Sequence, residues 1–575
     1  MKRSVTPWQF LDEYRGRLFE GEWPTLPELF EISAERFAER SCFTVYEPER
    51  VSLTYREAWE QIGRTAGYLI DSGVKPGDRI AVSGANSPEW AVAYLAVLVA
   101  GGVVVPIDYA LSSSEIQGLI KAAGAEILFI DGEKEPDFAA GKDGIKQLVG
   151  LSKKSASYIY NISSATVPAK GLCAEDDLAA ILFTSGTTGR PKGVMLTHKN
   201  LVSDCLLAQA NLNIYPTDVF YALLPIHHSY SMLAVFIESF SVGAETVFGK
   251  RLAIKQILSD LKDAKVTMFL GVPMLFNKLL QGILKGIRAK GILVYGLIRT
   301  LMFISGSIKK LFGVNPGKAM FRSILDKASL ASIRICISGG GPLAPSVFRQ
   351  YNQFGIDFVQ GYGLTETSPI VALNPKERYK VTSVGQVLPR TEMKILDPDE
   401  HGRGEIAIKG PMVMRGYYRM PEETAEVMTA DGYFRTGDVG YLDKDNYLYL
   451  TGRAKNLIVT EGGKNVYPEE LEDAFQLYGE VDQIMVRGFT PDKQTPGERI
   501  EALIYPNQEL FEADLKGDEE GAHRVRSRIE AIVAEVNQNL MSYQKIERVL
   551  VLAEPMEMTT TKKIRRHAVK AVQEL

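Results

Sequence analysis

Ten consecutive residues, Thr184-Ser185-Gly186-Thr187-Thr188-Gly189-Arg190-Pro191-Lys192-Gly193, concentrate hydroxyls, glycines and positive charge. Glycines permit tight turns that aim backbone N–H groups at an anion. The Ser and Thr hydroxyls add donors, and Lys192 adds a cation, so the run suits a polyphosphate. It is not a nucleotide loop of the Walker type, which needs Gly, four residues, then Gly-Lys-Ser/Thr. Counted from Gly186, the second glycine position holds Pro191 and the final hydroxyl position holds Gly193. An ordinary surface turn is the plain alternative for a Gly/Ser/Thr segment, but a run of this length and composition argues against it.

Further runs carry residues with chemical potential. Ser338-Gly339-Gly340-Gly341-Pro342 offers bare backbone that a flat ring or a chain could approach closely. Alone it reads as a strand-to-helix turn. Gln360-Gly361-Tyr362-Gly363-Leu364-Thr365-Glu366-Thr367 places an aromatic ring, a hydroxyl and a carboxylate in one loop. Asp438 closes Tyr433-Phe434-Arg435-Thr436-Gly437-Asp438, and Arg453 closes Thr451-Gly452-Arg453. Taken singly, each would pass for a surface ion-pair residue. His228, in Leu224-Pro225-Ile226-His227-His228-Ser229, would alone be a core or helix-capping histidine. Near the C-terminus, Thr559-Thr560-Thr561-Lys562-Lys563-Ile564-Arg565-Arg566 could be a solvated basic tail.

In combination, and in this order from about residue 50 onward, these runs resemble the motifs of the adenylate-forming superfamily. That superfamily comprises acyl-CoA synthetases, adenylation domains of peptide synthetases, and luciferases. The resemblance implies ATP, Mg²⁺, coenzyme A and a small carboxylic acid as reactants and cofactors. It implies that Thr184, Ser185, Gly186, Thr187, Thr188, Gly189 and Lys192 hold the phosphates. Gly339, Gly340 and Gly341 would line the adenine and acyl pockets, beside Gly361 and Gly363. Tyr362 would stack on adenine, Thr365 would bond the α-phosphate, and Glu366 would bind Mg²⁺, which takes few carboxylates alongside phosphate oxygens. Asp438 and Arg453 would meet the ribose, and His228 would border the acyl and adenylate site. The family usually reads Pro-Lys-Thr-x-x-Gly-Lys-Ile near its C-terminus. Aligning on Lys-Ile makes Lys563 the adenylation lysine, with Lys562 standing where Gly is usual and remaining the fallback. Gly404-Glu405-Ile406 and Gly416-Tyr417-Tyr418 match further family segments, expected to be structural turns and strand starts.

The elements that must position these residues read as layered α/β architecture. Leu178 to Phe183, Ile333 to Ile337 and Ile356 to Val359 read as buried strands running into the chemical loops, where open α/β sheets place ligands. Ala91 to Ile107 reads as a buried helix, a turn and a strand, too broken by Gly101, Gly102 and Pro106 to span a bilayer. Thr391 to Ile408 reads as a hairpin in a β-rich subdomain. The expectation is a large N-terminal domain of α/β subdomains plus that β-rich part, 1–452, followed by a small mobile α+β domain, 453–575. In the latter, Pro468 to Leu477 and His523 to Leu540 read as helices, and Gln483 to Val486 and Glu501 to Tyr505 as strands. The resemblance puts a hinge at Lys455 and a pantetheine-lining loop at Gly462 and Gly463.

With 575 residues, 24% charged, and a formal net charge of −4, the chain has no global field for a polyanion, so nucleic acid is not an expected partner. Cys42, Cys173, Cys205 and Cys336 are too scattered for a metal knuckle and read as reduced, buried thiols. No apolar signal core follows Met1, and a cytoplasmic location is expected. The segment 278–327 interleaves Lys285, Arg288, Lys290, Arg299, Lys309, Lys310, Lys318 and Arg322 with Ile, Leu, Phe and Tyr. It reads either as a membrane-surface element on the inner face of a membrane or as an ordinary exposed helix pair. It also resembles an expansion in long-chain fatty acyl-CoA synthetases, as does Gly271-Val272-Pro273-Met274-Leu275-Phe276 before it. The expected activity is therefore AMP-forming acyl-CoA ligation of a medium- or long-chain fatty acid. An acyl-AMP ligase loading a carrier protein and an aryl-acid–CoA ligase are the alternatives.

Overall fold

The computed structural model describes residues 23–138, 144–184, 191–250, 253–491, 497–515, 519–559, 563–569 and 574–575. Within them the chain is mixed α/β, as expected. One sheet of seven strands has a parallel centre, with Val103–Ile107, Arg79–Ser83, Ile127–Ile130 and Gln147–Gly150 pairing in parallel. The inner strands are short runs of β-branched and apolar residues buried on both faces, while the edge strand Gln147–Gly150 is half-buried at its start. The apolar stretch that begins at Ala91 does divide into the helix Pro88–Val99 and the strand Val103–Ile107, with Ser87 capping the helix N-terminus.

A second sheet of thirteen strands changes character along its width. Ser41–Val45, Glu245–Phe248, Val219–Ala222, Met268–Gly271, Ile335–Ser338 and Asp357–Gly363 are parallel. From Asp357–Gly363 onward the pairing turns antiparallel, through Ile370–Leu373, Gly385–Val387, Tyr447–Arg453 and Phe434–Leu442 to the hairpin Glu392–Leu396 with Gly404–Lys409. The strand that ends in Tyr362 and Gly363 is thus the seam between the two halves.

One strand escaped the sequence reading. Leu178–Thr184 does not run directly towards a helix. It pairs antiparallel with Lys192–Thr197, and only then does Thr197 cap the helix His198–Ala208, its hydroxyl accepting from Asn200 N at 3.1 Å. The two ends of the Gly/Thr run, Thr184 and Lys192, are therefore paired across antiparallel strands.

After residue 456 a separate apolar core forms. The helix Glu519–Gln538 buries Val525, Ile529, Ile532, Val533 and Val536, a stripe at helical spacing, against the strands Val481–Phe489 and Arg499–Pro506. The first helix of this part, Pro468–Asp473, is shorter than the sequence reading. All four cysteines are free thiols; Cys173 is half-buried, unlike the other three.

Candidate active site

Four parallel strands deliver their carboxyl ends to one cleft. Val219–Ala222 leads to the 224–229 loop, Met268–Gly271 to Val272, Ile335–Ser338 to Gly339, and Asp357–Gly363 to the turn Thr365–Thr367. The cleft holds a cavity of about 1080 Å³, at the upper end for a single drug-sized ligand. Its wall includes Thr184, Lys192, His228, Gly339, Gly340, Gly361, Tyr362, Gly363, Thr365, Glu366, Arg453, Lys455 and Lys563. Residues hundreds of positions apart in the chain are thus gathered around one space.

On one side, Thr184 and Lys192 face each other across their paired strands. Ser185, Gly186, Thr187, Thr188 and Gly189 lie outside the described residues. Lys192 Nζ sits 4.7 Å from the centre of the Tyr417 ring, and the Tyr417 hydroxyl donates to Glu366 Oε1 at 3.0 Å. Burial, reinforced by the Glu366 charge, raises the Tyr417 phenol well above its ordinary range, so it stays a donor. The turn carrying Glu366 is tied down by Met414 N, which donates to the Glu366 carbonyl at 2.8 Å. Thr365 Oγ1 lies 3.0 Å from Ser229 Oγ, joining two loops of the cleft.

On the other side, Asp438 and Arg453 are directly opposite on paired strands, 2.8 Å apart from Oδ1 to Nε. The Tyr362 hydroxyl donates to Asp438 Oδ2 at 2.7 Å. Burial, then the Asp438 charge, holds the Tyr362 phenol protonated. Asp438 is buried behind these partners while Arg453 reaches the cavity. Gly363 cannot be replaced without rearrangement, since a Cβ there would fall 1.5 Å from the Pro369 carbonyl oxygen.

Lys563 enters from the C-terminal part, tied back to Thr559. Thr559 N donates to the Lys563 carbonyl at 2.8 Å, and Lys563 N donates to Thr559 Oγ1 at 3.1 Å. Beside them, Arg565 and Glu557 pair at 2.5 Å. The Lys563 side chain is open to solvent within the cleft, yet surrounding protein and then the nearby Arg453 charge lower its pKa, against an opposing pull from Asp438. Lys562 lies outside the described residues.

His228 is held as a neutral imidazole: burial, then its neighbour His227, pulls it down to about 3. The two rings lie 4.3 Å apart, and His227 Nε2 is 3.5 Å from Asp108 Oδ1. The loop bearing both is pinned by Asn86, whose amide donates to Ala222 O and Leu224 O and accepts from Ile226 N, each at 2.9 Å. Two groups could hold a cation. Glu366 offers one carboxylate beside the phosphate-type run, which suits Mg²⁺. Asp108, His227 and His228 bring one ligand atom each within 4.8 Å, a mixed N/O set better suited to zinc.

Some expected residues stand apart. Gly462 and Gly463 lie at the tip joining Ile458–Val459 to Asn465–Val466 and do not line the cavity, and neither do Gly341 and the buried Asp438. Several lining residues were given no role by the sequence reading: Asp108 lies in no motif, His227 and Arg565 lie inside motif runs without an assignment, and Tyr417 and Glu405 were taken as structural. Beyond the polar cleft the cavity continues between Leu212, Phe220, Ala234, Met268, Ile337 and Leu373, an apolar compartment beside His228 and Gly339.

Residues 30–418 match the family described as AMP-binding enzyme. The chain is similar to the long-chain-fatty-acid–CoA ligase FadD15 of Mycobacterium bovis, 31% identical over 489 residues, covering 80% of this chain and 78% of that one. It is also similar to the chloroplastic long-chain-fatty-acid–[acyl-carrier-protein] ligase AEE15 of Arabidopsis thaliana, 28% identical with 96% and 86% covered. Among solved structures, ATP-bound MatB from Rhodopseudomonas palustris matches with a TM-score of 0.73 and 27% identity, over 95% of this chain and 98% of that one.

Proposed function

Because this chain belongs to the AMP-binding enzyme family and is an adenylate-forming acid–thiol ligase using ATP and coenzyme A, we propose that its acid is a medium- or long-chain fatty acid and that the cleft residues divide two half-reactions between them. The observation that carries the substrate reading is the continuity of the polar cleft with the apolar compartment between Leu212, Phe220, Ala234, Met268, Ile337 and Leu373. A carboxylate at the junction, near His228 and Thr365, leaves its alkyl chain in apolar surroundings.

In the first half-reaction a carboxylate oxygen attacks the α-phosphorus of ATP, and the bond to pyrophosphate breaks. The nucleophile is already ionised at neutral pH, so no general base is required. The difficulty is charge: two anions must meet and a third must leave. Lys192 and the Gly/Thr run it closes hold the β- and γ-phosphates. Lys563 faces the α-phosphate and the developing charge, with Thr365 as a donor. Burial, and then the Arg453 charge, lower the pKa of Lys563, and a bound polyphosphate would favour its charged form. Mg²⁺ held by Glu366 would neutralise phosphate charge. Tyr362 offers its ring to adenine, and Arg453, held by the buried Asp438, is the ribose contact. His228, neutral, donates or accepts a hydrogen bond without adding charge next to the carboxylate.

In the second half-reaction the sulfur of coenzyme A attacks the acyl carbon, the bond to AMP breaks, and the thiol proton is released. Lys563 occupies space that the thiol needs. We assign the turn Ala454–Asn456, with Lys455, as a hinge about which residues 453–575 rotate, bringing Gly462 and Gly463 towards the cleft. Peripheral contact with the inner face of a membrane through 278–327 belongs to the same reading, since a long-chain acid partitions into bilayers.

The test is a panel of free acids of increasing chain length, assayed for AMP release with coenzyme A. The reading expects kcat/KM to rise with chain length, because each buried methylene contributes about 0.8 kcal/mol. A flat profile, or a preference for aromatic acids, overturns it. Thioester formation on a carrier protein but not on free coenzyme A would favour the carrier-loading alternative, to which the similarity with AEE15 lends weight.

A further inference from the structure

The helix Ile292–Phe312 is long and apolar enough to cross a membrane, yet it belongs to neither a buried core nor a span. Only 11% of its most apolar window is buried. Its inner face carries Tyr295, Ile298, Met302, Ser305 and Lys309, at i, i+3 and i+4 spacing. Met302 and Ser305 are fully buried, and Lys309 Nζ donates to Asn352 Oδ1 and Asp357 Oδ1, both at 2.7 Å. The opposite face carries Leu293, Leu297, Ile304 and Leu311, which are 85, 61, 43 and 73% exposed. These four fall on one line along the helix, offset by 4, 11 and 18 residues, a ridge of roughly 27 Å at 1.5 Å per residue. Phe303 and Phe312 are exposed beside it.

Charge decides what covers this ridge. Between Ala264 and Leu325 the sequence has no acidic residue, although the whole chain carries more acid than base. Lys285, Arg288 and Lys290 are exposed at the end of the preceding helix, Pro273–Arg288, and Lys310 and Arg322 follow. Among the described residues, Lys285, Lys290, Lys310 and Arg322 make no ion pair. A second copy docked face to face would bring these cations against their own kind without a single acid to meet them. A fluid apolar surface edged with anions satisfies the ridge and the cations together. Spanning is excluded by the inner face, because Lys309 and the buried Met302 would have to leave the body of the protein.

We propose that the outer face of Ile292–Phe312 docks in the plane of an anionic lipid bilayer, its leucine ridge in the acyl boundary and its flanking lysines and arginines at the headgroups. The helix is joined through Pro273–Arg288 to Val272 in the wall of the cavity, so the docked face and the acyl compartment are connected through one helix. The proposal rests on the reading of the substrate as a fatty acid for its purpose, and on the exposed ridge and charge pattern for its evidence.

The experiment is flotation of the full-length enzyme with phosphatidylcholine vesicles, with and without phosphatidylglycerol. Wild type should float with the anionic vesicles at least about tenfold more than with the neutral ones. Leu297→Gln with Ile304→Gln, both exposed, should reduce flotation about tenfold or more. Lys285→Gln, Lys290→Gln and Lys310→Gln together should abolish the difference between the two vesicles. Vesicle-free, acid-dependent AMP formation should be unchanged in every variant, which reports that the fold is intact. Wild type left in solution with anionic vesicles, or apolar variants floating as wild type does, overturns the docking. A wild-type dimer that the leucine variant dissociates overturns it in favour of a second copy. Flotation without any acid-dependent AMP formation leaves the docking standing and removes the fatty acid reading instead.

Discussion

Lys563 lines the cleft near Arg453, and burial and that charge lower its pKa, so an anionic ligand there would favour its charged form. Lys563→Ala should lower acid-dependent ATP–pyrophosphate exchange about 100-fold or more. It should leave thioester formation from supplied acyl-AMP much less affected, and Lys562→Ala should spare both; a rapid-quench assay of each half-reaction checks this. Asp438 is the common acceptor of Tyr362 and Arg453. Asp438→Ala frees both groups at once, and the KM for ATP should rise about tenfold while kcat changes less. Residue identities of this kind were legible because the motifs are contiguous. Tyr417 was not: its partners Lys192 and Glu366 lie far away in the chain, and no local spacing announces a phenol that bridges them. Asn86 and Asp108 escaped for the same reason.

At the scale of elements, strand identity was visible from buried β-branched runs, but pairing was not. The Gly/Thr run was read with the strand before it and the helix after it, and the intervening strand Lys192–Thr197 went unseen. Lys-Gly-Val-Met-Leu-Thr is short and lacks clear alternation, so its pairing with Leu178–Thr184 is set by tertiary contact. The loop carrying His228 is positioned by a neighbour that sequence does not reveal. Asn86 ties the 222–226 segment from another element, and Asn86→Ala would strand three backbone groups. The variant should lose about 1–3 kcal/mol of stability in urea denaturation and lower kcat/KM through the displaced His228. Replacing Gly363 with Ala should prevent soluble expression, since the added carbon meets a backbone carbonyl that cannot move aside.

At the scale of the molecule, ligands from both sheets and from the C-terminal part meet in one cleft. The C-terminal part is fastened by Gln476, whose amide donates to Pro342 O at 3.1 Å and accepts from Ala344 N at 2.8 Å. Asp473, bonded to Gln476, is pushed up to about 7 by burial. The folded chain therefore keeps a proton that an unfolded aspartate loses near pH 4. Stability from this group is complete below about pH 4, falls as pH rises to about 7, and is flat above. Asp473→Asn should flatten that decline, read as the thermal midpoint at pH 5 against pH 8. The central claim, that one cleft joins a phosphate site to an apolar acyl compartment, is tested most directly by ATP–pyrophosphate exchange with a series of fatty acids. The account predicts exchange that requires the acid and strengthens with chain length. Exchange that no carboxylic acid elicits would contradict it.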